Sequence, residues 1–232
     1  MRVSAIILAA GEGRRLGGSV PKAFASIAGR PLVLRTLERI LSVPMIERAT
    51  LVVGAAQLER CEALLKADPA LRDRPWHLQM GAATRQQSAQ RGLEQAGSEN
   101  DLILIHDAAR PFVSVELIVR CIEAAMRHDA AVPGLPAHDT IKVVTQDHWV
   151  ERTLERDSLW EIQTPQVFRR ELIVTAHANA ARAGLDVSDD ALAVERYGKP
   201  VFVVQGERLN FKITVPEDVW LAELLLREGR VS

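Results

Sequence analysis

Two runs constrain this chain more than any other feature. VSAIILAA at 3–10 and LILIHD at 102–107 are apolar almost throughout, and both end abruptly at glycine or charge. A strand wetted on one face alternates polar and apolar residues. A strand apolar at nearly every position is buried on both faces, as in a parallel sheet covered by helices on each side. The intervening sequence supplies those helices. PLVLRTLERILSV sets Leu34, Leu37, Ile40 and Leu41 on one side, and QLERCEALLKA and TRQQSAQRGLEQA are also helical. RATLVVGA and WHLQMG read as strands. SVELIVRCIEAAMRHD is a helix with Ser114 as its N-cap and Glu116 in its first turn, and AAVPGLPA is a strand interrupted by prolines. Strands alternating with helices imply right-handed βαβ units. The expected fold class is α/β: a Rossmann-like, mostly parallel sheet with helices on both faces.

The pattern changes from about 136 to 164. DTIKVVTQDHWVERTLERDSLWEIQTP alternates β-branched residues around TQDHW and reads as a protruding β-hairpin arm. Beyond it lie helices in RRELIVTAHANAARAG and SDDALAVERYG and a strand in KPVFVVQG. Pro216, Glu217 and Asp218 open the final helix. In SDD, Ser188 is the expected N-cap, with Asp189 and Asp190 favourable beside the positive helix end. With neither repeat nor low-complexity linker, residues 1–232 are expected to form one domain with the arm as an insertion.

Composition removes several functions. The 29 basic and 30 acidic side chains nearly cancel, so there is no electrostatic footprint for nucleic acid or an anionic membrane. No stretch reaches the roughly 18 apolar residues of a membrane span, and the short N-terminal run lacks the form of a signal peptide. Cys61 and Cys121 sit in helical stretches as buried small hydrophobes, consistent with a cytoplasmic protein. The six histidines are scattered, without zinc-ligand spacing.

In open parallel sheets, ligands bind at the carboxyl ends of the strands. Three segments fall there: GEGRR, MGAATRQQS and HDAARP. The first belongs to AAGEGRRLGGSVPK. As a dinucleotide fingerprint it fails, because Leu16 occupies the third glycine position and Pro21 would break a helix begun at the loop. As a Walker loop it lacks Gly-Lys-Ser/Thr. A solvated turn with surface cations remains the plain alternative. Arg14, Arg15 and Lys22, however, gather three cations beside backbone N–H groups of residues 10–13, which suits a triphosphate whose charge shifts in a transition state.

AAGEGRRLG…PK resembles the loop of sugar-nucleotidyltransferases. With HDAARPF, TRQQS and NFKIT.PED in that order, the chain resembles the 2-C-methyl-D-erythritol 4-phosphate cytidylyltransferases of the non-mevalonate isoprenoid pathway, from Ile6 to Leu224. The resemblance implies that a phosphate oxygen of methylerythritol 4-phosphate attacks the α-phosphorus of CTP and pyrophosphate leaves. Arg15, Lys22 and Lys212 match catalytic cations. Ala9, Ala10, Gly11 and Gly13 match the phosphate cradle. Gly81, Ala82 and Ser88 match the base-recognition loop, with Ala82 where relatives carry glycine. Helix capping is the structural alternative for Ser88. Asp107 matches a substrate contact and a Mg²⁺ ligand. Leu209, standing where some relatives have an acidic metal contact, leaves Asp107 as the assigned carboxylate. His106 is expected to buttress its loop. Arg110, Thr140, Arg156 and Thr164 match substrate-binding positions. The arm is implied to clasp a second subunit, so that Thr140 and Arg156 serve the neighbour's site in a homodimer.

Two other readings remain open from sequence. One is a cytidylyltransferase for ribitol 5-phosphate or another sugar phosphate. The other is a non-catalytic nucleotide-binding regulatory module, against which the retained Arg15, Lys22 and Lys212 argue. A Rossmann oxidoreductase fits poorly.

Overall fold

The structure is a computed structural model that describes residues 2–11, 21–97 and 99–231. Gly13, Arg14 and Arg15 lie outside the described residues.

The chain begins with β1 (Val3–Ala9), and the minimal pair β2 (Ser26–Ile27) and β3 (Arg30–Pro31) leads into α1 (Leu32–Leu41). Then come β4 (Ile46–Val53), α2 (Leu58–Ala67), β5 (Trp76–Met80), α3 (Arg85–Gln95), β6 (Leu102–Asp107), α4 (Val115–His128) and β7 (Ala130–Pro136). The arm hairpin is β8 (Lys142–Val144) and β9 (Val150–Thr153). The chain continues through β10 (Trp160–Ile162), β11 (Gln166–Arg169), α5 (Arg170–Arg182), α6 (Asp190–Arg196), β12 (Phe202–Gln205) and α7 (Pro216–Arg227).

Eight strands form one sheet in the order β10-β7-β11-β6-β1-β4-β5, with β12 also on β7. The pairs β1–β4, β1–β6, β4–β5 and β7–β12 are parallel. This mostly parallel α/β sheet agrees with the sequence reading. The short β11 departs from it, running antiparallel between β6 and β7.

The pleat of β1 explains its unbroken apolar run. Val3, Ala5 and Ile7 join a core built with α1, α2 and α4, while Ile6 faces a second core with α3, α5 and α6. Gly92 allows α3 to approach β1: a Cβ there would meet Ile6 Cγ2 at 2.4 Å. Cys61 and Cys121 are buried and free, and burial pushes both thiols up to about 12. Among the described residues no helix is long and apolar enough to cross a membrane.

Ser114 caps α4, accepting from Leu117 N–H at 2.9 Å. The expected cap of α6 is corrected: Asp189, not Ser188, accepts from Leu192 N–H at 3.0 Å. The base of the arm also belongs to the main sheet, because β10 pairs Trp160 with Pro136 and Ile162 with Gly134. The hairpin itself pairs Lys142 with Thr153 and leaves Trp149 75% exposed.

Candidate active site

The chain leaves β1 towards β4 and β5, then returns to the opposite side of β1 as β6. Strand order reverses there, which opens a crevice at the carboxyl ends. Leu8 pairs with Asp107, and Ala108 N–H donates to Leu8 O at 3.0 Å. A cavity of about 260 Å³ lies over this seam, with Ala10, Lys22, Ala82, Arg85, Asp107 and Lys212 in its wall. Ala9, Gly11, Ser88 and Thr214 line it as well.

Asp107 is the electrostatic centre. Lys212 Nζ donates to its Oδ2 at 2.6 Å, and Arg85 Nε lies 3.5 Å from Oδ1. Burial alone would raise the Asp107 pKa, but Arg85 and then Lys212 hold the carboxyl well below its usual range. Lys212 is anchored through its own segment. Ile213 N–H donates to Ala109 O at 2.9 Å, and buried Asn210 donates to Thr164 O at 2.9 Å. Lys22 arrives from the other end of the chain, in a 3-10 turn after Pro21. Its ammonium donates to Thr214 Oγ1 at 3.4 Å, and that hydroxyl donates to Lys212 O at 3.0 Å. Two cations from opposite ends of the chain thus meet at one wall of the cavity.

A buried hydrogen-bond chain supports Asp107 from behind. Its N–H donates to Thr164 Oγ1 at 3.1 Å. Thr164 Oγ1 lies 3.0 Å from His106 Nδ1, and His106 Nε2 lies 3.0 Å from Arg110 O. A carbonyl can only accept, so Nε2 carries the proton and Nδ1 accepts from the Thr164 hydroxyl. Burial lowers the His106 pKa to about 4, against the opposing pull of the Arg110 carbonyl and Asp107. The ring is neutral and buttresses the loop, as its sequence position suggested. Thr164 is only 5% exposed and its hydroxyl is engaged in both directions. In this structure the Thr164 hydroxyl supports Asp107 from beneath the site.

The β5–α3 loop forms the facing wall. Thr84 caps α3 in a capping box with Gln87, so Ser88 is released from the capping role. Ser88 is buried and accepts from Ala82 N–H at 3.0 Å. Gly81 N–H donates to Val53 O at 2.8 Å. A Cβ on Gly81 would meet Ala10 Cβ at 2.5 Å and Ser88 Oγ at 3.1 Å, so its bare backbone lets this loop lie against the end of β1.

Arg110 donates through Nη1 to Asn210 O at 2.7 Å, and burial lowers its pKa while Asp107 opposes the shift. Thr140 and Arg156 share a separate cleft on the arm, where Arg156 Nη1 donates to His138 O at 3.1 Å. Leu209 faces a different surface groove with Arg39, Phe112 and Arg230. Sequence reasoning missed Arg85, which bridges Asp107 and the buried Asp190. The available signal was a basic residue in the first turn of a helix, where the dipole favours an acid.

No group of three or more His, Cys, Asp or Glu among the described residues is placed to hold a metal ion. Asp107 is the one carboxylate in the described cavity wall. Mg²⁺ is commonly held by one or two carboxylates together with substrate phosphates. The donor set therefore fits Mg²⁺ as the partner of a bound polyphosphate.

Comparison with known proteins places this chain in a family. The family model for 2-C-methyl-D-erythritol 4-phosphate cytidylyltransferase matches residues 3–228. The enzyme of that name from Geobacillus kaustophilus is 41% identical over 231 residues, covering 97% of each chain. The crystal structure of 2-C-methyl-D-erythritol 4-phosphate cytidylyltransferase from Thermus thermophilus superposes with a TM-score of 0.80 at 40% identity, covering 98% of this chain and 100% of that one. The 4-diphosphocytidyl-2C-methyl-D-erythritol synthase of Anaerococcus prevotii gives a TM-score of 0.85 at 31% identity, covering 97% and 96%. This chain belongs to the 2-C-methyl-D-erythritol 4-phosphate cytidylyltransferase family of nucleotidyltransferases.

Proposed function

We infer that this chain joins CTP and 2-C-methyl-D-erythritol 4-phosphate into 4-diphosphocytidyl-2-C-methyl-D-erythritol, a step of isoprenoid precursor biosynthesis, and releases pyrophosphate. The observation that carries the reading is the convergence of Lys22, Lys212, Arg85 and Asp107 at the switch point of a sheet shared with the family. A phosphate oxygen of the sugar forms a bond to the α-phosphorus, and the bond from that phosphorus to the bridging oxygen of the β,γ-diphosphate breaks. The nucleophile is already an anion, so the protein needs no strong general base. Its tasks are alignment and neutralisation of charge.

Lys22 and Lys212 flank the place where negative charge builds. Lys212, held at the cavity wall by Asp107, presents its ammonium to the incoming phosphate, while Arg85 remains beside the same carboxylate. Ala9, Ala10 and Gly11 admit the triphosphate close to the backbone, with Gly13 and Arg15 assigned to the same cradle from sequence. Gly81, Ala82 and Ser88 fix a wall against which the cytosine edge is read, since an unmatched buried polar group is costly. Mg²⁺, held by the triphosphate with Asp107 as the protein carboxylate, would neutralise phosphate charge. The entire chain acts as one nucleotidyltransferase domain.

The arm supports a homodimer with composite sites. Thr140 and Arg156 are grouped together on it, away from the cavity of their own chain. We assign them to the sugar phosphate in the partner's site, with Arg110 contributing from the cavity's own chain.

The test is pyrophosphate release with CTP and methylerythritol 4-phosphate, each omitted in turn. Turnover is expected only with both. Turnover with ribitol 5-phosphate in place of methylerythritol 4-phosphate, and none with the latter, would overturn the substrate assignment.

A further inference from the structure

The ion pairs around Asp107 extend beyond the cavity. Arg85 is the first residue of α3, where the helix dipole disfavours a cation and no acidic residue in that turn offsets it. Its near partner is remote in sequence: Nη2 donates to Asp190 Oδ2 at 2.8 Å. Asp190 is 0% exposed, and His177 Nε2 lies 3.1 Å from its other oxygen. The segment carrying Asp190 is pinned by β11. Gln166 Oε1 accepts from the N–H groups of Asp190 and Ala191 at 3.1 and 3.0 Å, and Gln166 Nε2 donates to Asp189 Oδ2 at 2.7 Å. Gln166 pairs with Ile105, two residues before Asp107. The β11–β6 strand pair therefore registers Asp190 against Asp107. A buried ion pair is weak evidence for stability, because desolvation offsets much of its attraction. Its geometry nevertheless fixes where Arg85 points.

We propose that Asp190 is a positioning residue for the transfer site: by holding the outer nitrogen of Arg85, it keeps that guanidinium from closing on Asp107 and preserves Lys212 as the near partner of Asp107. The three separations express this division. Arg85 reaches Asp190 at 2.8 Å but Asp107 only at 3.5 Å, whereas Lys212 reaches Asp107 at 2.6 Å. An arginine left with a single carboxylate favours a bidentate fork using both carboxylate oxygens. Without Asp190, Asp107 is the carboxylate left within ion-pair distance of Arg85 among the described residues, with Asp189 acting from farther off, and the fork takes the oxygen that Lys212 now holds. The lysine then loses the anchor that keeps it at the cavity wall. This inference rests on the transferase reading above.

A double-mutant cycle in kcat tests it, using Asp190→Asn, Arg85→Met and the two combined. Asp190→Asn keeps the side-chain volume and is expected to lower kcat about 10- to 100-fold, the scale of a misplaced catalytic group, with a smaller change in KM for CTP. Arg85→Met also lowers kcat. In the combined variant, Asp190→Asn should add no further loss, because no guanidinium remains to be aimed. That variant also removes both charges of the pair, giving a folded comparison if a single variant is unstable. Thermal unfolding of all four proteins separates stability from turnover. Losses that multiply in the combined variant would overturn the proposal. So would an Asp190→Asn protein with wild-type kcat and only a lowered melting temperature. If the unsubstituted chain gives no turnover, the transferase reading falls and the inference with it; if it turns over and the losses multiply, only the inference falls.

Discussion

Lys212 Nζ lies 2.6 Å from Asp107 Oδ2, so a cavity-wall cation and the one carboxylate of the described cavity wall neutralise each other. Asp107→Asn preserves shape but removes the charge facing Lys212 and Arg85. Stability should fall by about 1–3 kcal/mol, the usual cost of leaving buried polar partners unmatched. The Mg²⁺ concentration for half-maximal activity should rise. Denaturant unfolding reads the first effect and a Mg²⁺ titration the second. Unchanged metal dependence would remove Asp107 from the metal assignment.

Lys22 reaches the same wall from the opposite end of the chain, donating to Thr214 Oγ1 at 3.4 Å. Lys22→Ala should leave the fold intact and lower kcat by about 10²–10³, as when one preorganised transition-state donor is lost. Steady-state kinetics distinguish this from uniform binding. A raised KM for CTP with unchanged kcat would place its contribution in the ground state.

Gly81 and Gly54 follow neighbouring strand ends, yet they should answer differently to alanine. A Cβ at Gly54 would meet Ala10 O at an ordinary 3.8 Å, whereas one at Gly81 would meet Ala10 Cβ at 2.5 Å. Gly81→Ala should cost about 1–3 kcal/mol by overpacking and raise KM for CTP as the loop moves off β1. Gly54→Ala should be close to neutral in both respects. Equal responses in unfolding and kinetics would refute the close-packing account.

Protonation of His106 links pH to stability. Its folded pKa is about 4 against the ordinary 6.5, so between these values the unfolded chain binds more protons. Its contribution to stability is fully present above about pH 6.5 and falls by on the order of 3 kcal/mol as pH drops through 4. Asp107 and Asp190, both held below the usual carboxylate range, add further losses in more acid solution. Denaturant unfolding from pH 7 to 4 should show this slope, and His106→Gln should flatten it. An equally steep slope in that variant would place the proton elsewhere.

The parts of the fold legible in sequence were those with a local cause. The apolar run of β1 announced two buried faces, and Ser114 announced the start of α4. The four-residue β11 gave no such signal, because its antiparallel place is set by β6 and β7. The same division runs through the site. Lys22, Asp107 and Lys212 stood in recognisable motifs and meet at one cavity. Asp190 looked like a favourable charge at a helix start, and only tertiary packing gives it Arg85 and His177 as partners. Thr164 likewise gave no local sign that its hydroxyl would be consumed beneath Asp107.

The arm yields a prediction about subunits. Its hairpin leaves Trp149 and Val150 exposed, and an isolated two-stranded hairpin is at best marginally stable in water. A second copy covering this arm would bring Thr140 and Arg156 to a neighbouring cavity. Lys22→Ala and Arg156→Ala would then damage different chains of one site. In a mixed dimer, one site carries both defects and the other carries neither. After free exchange of equal amounts, about half the dimers are mixed, and so about a quarter of all sites are intact by two-fold symmetry. Activity should rise well above that of either variant alone. If Arg156 serves the cavity of its own chain, every site keeps one defect and mixing restores nothing. Tagged subunits purified as proven heterodimers decide the matter: such heterodimers without recovered turnover would eliminate the shared site.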